Sequence, residues 1–251
     1  MRYISILFIL LFSMCTSNTK QNKNDLTYKK LKGKVRTVKT TEYRVTEKFG
    51  EIIKDENASM QYIEIFTVNG NIEQKQWFGN GRLERVYNYI YDDIGNNIVI
   101  ETINESDSSL MSKTINKFND DKYKIEENNY NAEGVLTYKS LYLYDDEGNI
   151  IEENYFDING LLIEKTTYSY ENLNRIREER YNSNGEFISK TEYRYNDKNE
   201  LIEIIKPNNP IFDLNFTYEL HDEHNNWLKK IRYDAHSNHP AYLSEREITY
   251  Y

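Results

Sequence analysis

The chain has 251 residues, with 32 Lys and Arg against 41 Asp and Glu, for a formal net charge of −9. That acidic balance excludes a general nucleic-acid binder, which needs a basic footprint. Hydrophobic residues reach only 38% and mean hydropathy is −0.83, too little for a thick central core, yet 14% aromatics with 23 Tyr exclude a disordered chain.

The first fifteen residues read as an address. Met1 and Arg2 supply a positive charge, the run from Ile4 to Phe12 is apolar apart from Ser5, and Ser13, Met14 and Cys15 follow. A basic start, an apolar run and small or polar residues at its end make an export signal over 1–14. As a helix, residues 4–14 span about 16 Å, well short of the ~30 Å of a bilayer core, so a membrane span is excluded. Cys15 is the only cysteine and cannot form an internal disulfide. Phe12, Ser13, Met14 and Cys15 resemble the lipobox of bacterial lipoproteins, in which the cysteine is acylated and becomes the mature N-terminus. The resemblance implies lipidation at Cys15, a membrane partner through that anchor, and an outer-membrane location on its periplasmic or cell-surface face. The competing reading is a plain signal peptide with an incidental Cys15. Residues 15–29 are polar and are expected to form a flexible tether, leaving 30–251 as a single domain. Cleavage after residue 14 deletes Arg2 and leaves a mature charge of 31 − 41 = −10.

From Lys32 to Asn69 the chain is strand-like, with Val35, Val38, Tyr43, Val45, Tyr62, Ile63 and Ile65, but its repeat is blurred. A tandem repeat then governs the rest. A turn motif begins at Tyr91, Phe118, Tyr144, Tyr170, Tyr195 and His221, at intervals of 27, 26, 26, 25 and 26 residues. In its fullest form it places Asp92 after Tyr91 and Gly95 three further on; Asp145 and Gly148 repeat this after Tyr144. Weaker turns end at Gly134, Gly160 and Gly185. Asp or Asn opens such turns by bonding its own backbone two residues on, and Gly or Asn near the end takes positive φ. About five residues per turn leave seven to nine for a strand. The expected fold is therefore all-β: tandem ~26-residue, two-strand repeats forming a long antiparallel meander, twisted or curled into an open or barrel-like sheet. Pro207 and Pro210 predict a loop near 207–213, and 232–239 predicts a polar loop before a last strand from Leu243 to Tyr251.

Tyr recurs with period two before the strong turns: Tyr87, Tyr89 and Tyr91; Tyr142 and Tyr144; Tyr168 and Tyr170; Tyr193 and Tyr195. Period two puts each set on one sheet face, where neighbouring strands stack the rings. Acids follow the strong turns (Glu126 and Glu127, Glu152 and Glu153, Glu178 and Glu179, Glu203), and Lys139, Lys165 and Lys190 follow the weak ones. This predicts solvated acidic and basic stripes on alternating strands.

The motif of Tyr91, Asp92, Gly95 and Asn96, repeated at Tyr144 and followed by an Ile-x-Glu strand, resembles the YD repeats of RHS-type bacterial proteins over about 78–230. It also resembles MORN-type repeats. In the RHS family long arrays wind into a hollow β-shell around a C-terminal toxin. This chain has about six units and ends in a strand, so the resemblance implies the repeat fold and no active-site residue.

Signals for catalysis are thin. There is no phosphate-binding glycine loop, Gly-x-Ser-x-Gly elbow or His-Glu-x-x-His, and no cofactor is indicated. Carboxylates recurring in every unit read as a stripe rather than as a glycosidase pair. All four histidines, His221, His224, His236 and His239, fall in one stretch as two His-x-x-His pairs, a weak metal candidate that lacks a recognised ligand spacing. Trp77 and Trp227 are either ligand platforms or sheet-packing residues. The leading reading is a non-enzymatic envelope lipoprotein, a binding or scaffolding module. Its partner, a protein or a glycan, would meet a free sheet edge or a Tyr-rich face with Tyr144, Tyr168, Tyr170, Tyr193 and Tyr195 as candidates. The alternatives are a glycan hydrolase with its site near 207–239, and an immunity-type partner of a secreted toxin.

Overall fold

The computed structural model describes residues 24–251. The expected signal peptide, Cys15 and most of the expected tether lie outside the described residues. The last residues of that tether are ordered: Asn24 caps a single helical turn, α1 (Asp25–Tyr28), by accepting the Thr27 N–H at 3.0 Å.

Seventeen strands follow in chain order. They are β1 (Val35–Lys48), β2 (Glu51–Lys54), β3 (Met60–Phe66), β4 (Ile72–Gly79), β5 (Arg82–Tyr91), β6 (Asn97–Asn104), β7 (Leu110–Phe118), β8 (Lys124–Asn131) and β9 (Leu136–Tyr144). The second half comprises β10 (Ile150–Phe156), β11 (Leu162–Glu171), β12 (Asn174–Asn182), β13 (Phe187–Tyr195), β14 (Leu201–Ile205), β15 (Leu214–His221), β16 (Trp227–Asp234) and β17 (Pro240–Tyr250). A short 3-10 turn, Pro210–Phe212, occupies the loop that the prolines predict. The last strand starts three residues earlier than expected, at Pro240, whose missing N–H costs nothing at a strand's first position.

Each strand pairs with the next in antiparallel register, and β1 pairs with both β3 and β17. The meander is therefore a closed 16-strand barrel, with β2 as an extra strand folded off the end of β1. The seam between β1 and β17 runs from Val35 opposite Tyr250 to Arg44 opposite Tyr242. Of the two expected forms, open or barrel-like, the sheet takes the barrel, and among the described residues only the four-residue β2 keeps a free edge.

The turn chemistry is what makes the repeat. Asp92 accepts the N–H of Ile94 at 3.1 Å and of Asn96 at 2.8 Å, and Asp145, Asp157, Asn196 and Asp222 repeat the pattern. Bonds of this kind favour the ionised form: the Leu161 N–H heads the causes that hold the Asp157 carboxyl below its ordinary range. One unit departs from expectation. After Tyr170 the first turn position is Glu171, whose side chain is too long for this local bond. The hairpin shortens to two residues, Asn172 and Leu173, both at positive φ, and Asn174 becomes the first residue of β12.

The apolar core is small and split. Leu26, Leu31, Val35, Val38, Phe66 and Ile72 pack at one rim. Val45, Ile231 and Leu243 form a second cluster on the outer wall, where the β1–β2 hairpin folds over it and Ile52 packs against it. A folded chain of 30.1 kDa exposes about 12,000 Å² by size scaling, whereas this one exposes 17021 Å². Residues 1–23 can contribute at most about 4,000 Å² of this, and the remaining ~13,000 Å² still exceeds the ~11,000 Å² expected of the other residues. Sixteen strands leave a solvent-reached interior.

Candidate functional site

Strand register assigns every side chain to one of two walls. The outer wall carries the stripes. Lys117 meets Glu126 at 2.6 Å, Lys139 meets Glu126 at 3.4 Å, Lys165 meets Glu152 at 3.7 Å, and Arg194 meets Glu203 at 2.7 Å. Each consecutive Glu pair of the repeat splits across the sheet: Glu126, Glu152 and Glu179 face out, and Glu127, Glu153 and Glu178 face in. The expectation of all-solvated acid stripes is corrected accordingly, because adjacent strand residues point to opposite faces. A Lys or Arg on the lipid face of a barrel costs about 2–4 kcal/mol at the bilayer midplane. An outer wall striped with such charges is poorly suited to hydrocarbon. Among the described residues no helix is long and apolar enough to span one.

The inner wall carries the tyrosines. Tyr144, Tyr168, Tyr170, Tyr193 and Tyr195 line one arc, β9–β13, as the period-two pattern predicts. They divide by role. The tyrosine next to the turn reaches a main-chain carbonyl at the start of the preceding strand: Tyr144 to Lys124 at 2.8 Å, Tyr195 to Arg175 at 3.0 Å, and Tyr91 to Ile72 at 2.6 Å. These brace the rim. The tyrosine two positions earlier meets an inward acid: Tyr168 donates to Glu153 and Tyr193 to Glu178, each at 3.0 Å. Burial, then Glu153, raises the Tyr168 hydroxyl well above the ordinary tyrosine range. Burial, with Glu178 adding and Arg175 opposing, pushes Tyr193 up to about 12. These phenols stay protonated donors at neutral pH.

The opposite wall is aromatic and basic. Tyr62 and Trp77 stack with centroids 6.4 Å apart. Trp227 lies under two cations, with Arg246 Cζ 3.5 Å and Lys230 Nζ 4.8 Å from its ring centroid. Arg232 Cζ sits 4.0 Å over Tyr242. The tryptophans are thus wall residues of the lumen and do not pack in an apolar core. Lys230, Arg232 and Arg246 were not singled out from sequence. The usable signal is phase: nine residues past the first turn residue, β16 places Lys230 where its sister strands carry the inward Glu127 and Glu153, and it places Arg232 where Tyr155 stands.

The two ends of the barrel differ. At the strong-turn rim, residues 24–34 cross the mouth. Leu26 N–H donates to Gly70 O at 3.0 Å, and the Ile72 N–H donates to the Asp25 carboxylate at 2.7 Å. Lys29 enters the lumen to Glu64 at 2.8 Å. Lys30 reaches Asn174 Oδ1 at 2.5 Å and Asn199 O at 3.0 Å, six to eight strands round the ring from Gly70. A Cβ added at Gly70 would lie 2.4 Å from Asn24 Nδ2, whereas one added at Gly134, on the other rim, meets nothing within 4 Å. One rim is strapped shut and the other is open.

The histidine pairs do not converge. His221 and His224 sit at the closed rim, His236 and His239 at the open rim, with β16 between them. His221 Nε2 pairs with Glu200 at 2.5 Å, and His224 stacks on Tyr250 at 4.2 Å. His239 borders a shallow outer depression of about 450 Å³ with Val45, Glu47 and Phe49. Among the described residues no group of three His, Cys, Asp or Glu is placed to hold a metal. The stretch 207–239 likewise divides between both rims, so it does not form one pocket.

These features define a closed antiparallel β-barrel with a charge-striped outer wall and an aromatic, ionisable lumen. The fold is similar to that of a porin-like protein from Bacteroides uniformis, with a TM-score of 0.58 and 10% identity over 87% of this chain and 99% of that one. A porin-like protein from Bacteroides vulgatus aligns at 0.28 with 10% identity, over 85% of this chain and 97% of that one. The Photorhabdus luminescens Tc holotoxin pore aligns at 0.24 with 11% identity, over 81% of this chain and 14% of that one. Scores that low carry no argument, so the RHS-type resemblance rests on the turn motif alone. No family model matches the chain, and no curated protein matches it.

Proposed function

We propose that this chain is a non-enzymatic, lipid-anchored protein of the bacterial envelope whose barrel lumen is a binding module. The observation that carries the reading is the division of the walls: ion pairs face water outside, while phenols, carboxylates and cations converge inside a barrel closed at one rim. A concave site lined by aromatics with a few placed polar groups is the common form of a ligand pocket. The porin-like neighbour supports an envelope address. Eight residues lie between Cys15 and Asn24, a reach of at most about 30 Å. On this reading the strapped rim faces the membrane and the open mouth points away.

Two experiments test it. Palmitate labelling is expected in the full chain and lost in Cys15→Ala; labelling that persists rejects the anchor. A photo-crosslinking residue at inward Ser189 is expected to capture a ligand in cells, and one at outward Thr167 is not. Capture through Thr167 alone rejects the lumen as the site.

A further inference from the structure

The inward face of β16, β17 and β1 holds more positive charge than its surroundings balance. Lys230, Arg232 and Arg246 share this wall, and none of them makes an ion pair among the described residues. Glu42, whose carboxylate lies 3.5 Å from Ser244 Oγ, is the acid that bears on Lys230. Glu64, the next one, is already held by Lys29 at 2.8 Å and Lys75 at 3.9 Å. By the same register Arg44 and Asp234 lie on this face nearer the open rim, so four cations less Glu42 and Asp234 leave a local charge of +2.

Hydrogen bonding is incomplete at the same spot. Thr40 and Arg246 are directly paired across the seam, and Thr40 Oγ1 and Arg246 Nε are both buried without a partner. Elsewhere in the lumen close ion pairs form: Arg180 grips Glu164 through two bonds, at 2.7 and 2.6 Å, and Lys124 meets Glu127 at 2.6 Å. Buried donors without acceptors and cations without anions are costly, and both are missing the same kind of group. Trp227 beneath Arg246 and Lys230 fixes the two cations as a platform rather than letting them extend to water.

We propose that the β16–β17–β1 wall is a binding site for a tetrahedral oxyanion, a phosphate or sulfate group, held by Arg246 and Lys230 with Thr40 and Arg232 beside them. Two negative charges match the local +2. Arg presents a planar fork suited to such oxygens, and Lys adds a point charge. The inference rests on the lumen being the binding site and names the chemistry of what enters it.

The test is titration of the mature chain with inorganic phosphate and inorganic sulfate at pH 7 and constant ionic strength, read by tryptophan fluorescence and by melting temperature. Glucose 6-phosphate and glucose form parallel arms. Phosphate or sulfate is expected to change Trp fluorescence saturably at millimolar concentration or below and to raise the melting temperature by a few degrees, as any ligand of the folded state does. Lys230→Gln and Arg246→Gln are each expected to weaken binding by about tenfold or more, and the outer-wall control Lys165→Gln to leave it unchanged. Tighter binding of glucose 6-phosphate than of inorganic phosphate identifies an ester-borne group, and equal binding identifies the free ion. Circular dichroism reports whether each variant folds, and two independent variants guard against the loss of one. The proposal is overturned if neither ion binds, or if binding survives in both lumen variants. Ligand capture through Ser189 with no oxyanion binding rejects this site while leaving the luminal reading in place.

Discussion

The strap across the closed rim makes a measurable claim through one glycine. Gly70 has φ +84, and a Cβ there would lie 2.4 Å from Asn24 Nδ2 and 3.0 Å from Leu26 Cδ1. Gly134, on the open rim, has φ +78 and open space. Replacing either with Ala costs about 1–2 kcal/mol of backbone strain. At Gly134 nothing more is lost. At Gly70 the strap must move, which threatens the burial of Leu26, about 1.5–3 kcal/mol for a leucine. It also threatens the bonds from Leu26 N–H to Gly70 O and from Asn24 Nδ2 to Asn69 O, each worth about 1 kcal/mol net. Gly70→Ala should therefore be less stable than Gly134→Ala by about 2–3 kcal/mol, partial relaxation included. Urea unfolding measures the difference, and hydrogen exchange at the Leu26 and Ile72 amides should accelerate only in Gly70→Ala. Equal unfolding free energies, with exchange at those amides unchanged, would show that the strap is not seated as described.

Three further outcomes are expected. Burial, aided by Arg246, lowers the Lys230 ammonium from 10.5 to about 8. Below pH 8 the lysine is protonated in both folded and unfolded chains and its full penalty stands, about 3 kcal/mol; between 8 and 10.5 the unfolded chain binds more protons, so stability rises with pH. Lys230→Met should thus be more stable than the wild type by about 2 kcal/mol at pH 7, after the lost ring contact, with the gap closing toward pH 10; a gap independent of pH refutes the assignment. Leu173 is exposed at φ +66 in a two-residue turn, so Leu173→Gly should raise stability by about 0.5–1 kcal/mol in thermal unfolding. Burial pushes the Glu126 carboxyl up, but Lys117, Asn128 and Lys139 together hold it at about 2. Its contribution, about 0–1 kcal/mol for a surface network, is present above pH 4.5 and lost as pH falls through 2, so any stability gap between wild type and Glu126→Gln should vanish in acid unfolding series by about pH 2.

Much of the barrel was legible before any coordinates because its information is local. A turn that begins with Asp92 and ends with Gly95 states its own geometry, and repetition at Asp145 and Gly148 states the spacing of the strands. Period two then put Tyr144, Tyr168 and Tyr195 on one wall. Closure was not legible. It depends on the accumulated twist of the strands and on Val35 finding Tyr250, a contact with no local signature. Which wall faced inward was equally hidden, since both are polar and hydrophobicity does not choose between them. Lys230 and Arg246 became a cluster only when strands β16 and β17 were set side by side. The seating of 24–31 across the rim has no local signature: the segment is polar, and the anchoring groups are single residues, Asn24, Asp25 and Leu26, whose partners lie more than forty positions away.

The seam between β1 and β17 bears on how this chain reaches its native state. Hairpins from β3 to β17 join near neighbours and can form as soon as each turn is made, whereas the seam joins residues about two hundred positions apart and must wait for nearly the whole polypeptide. Until it zips, the first and last strands offer bare backbone to any passing chain. A protease or a premature stop that removes 240–251 would unmask the flank of β1 and of β16 together, converting a self-contained ring into a sticky ribbon. If the chain is exported as proposed, the interval between emergence of residue 35 and arrival of residue 250 is the one in which an escort is most needed.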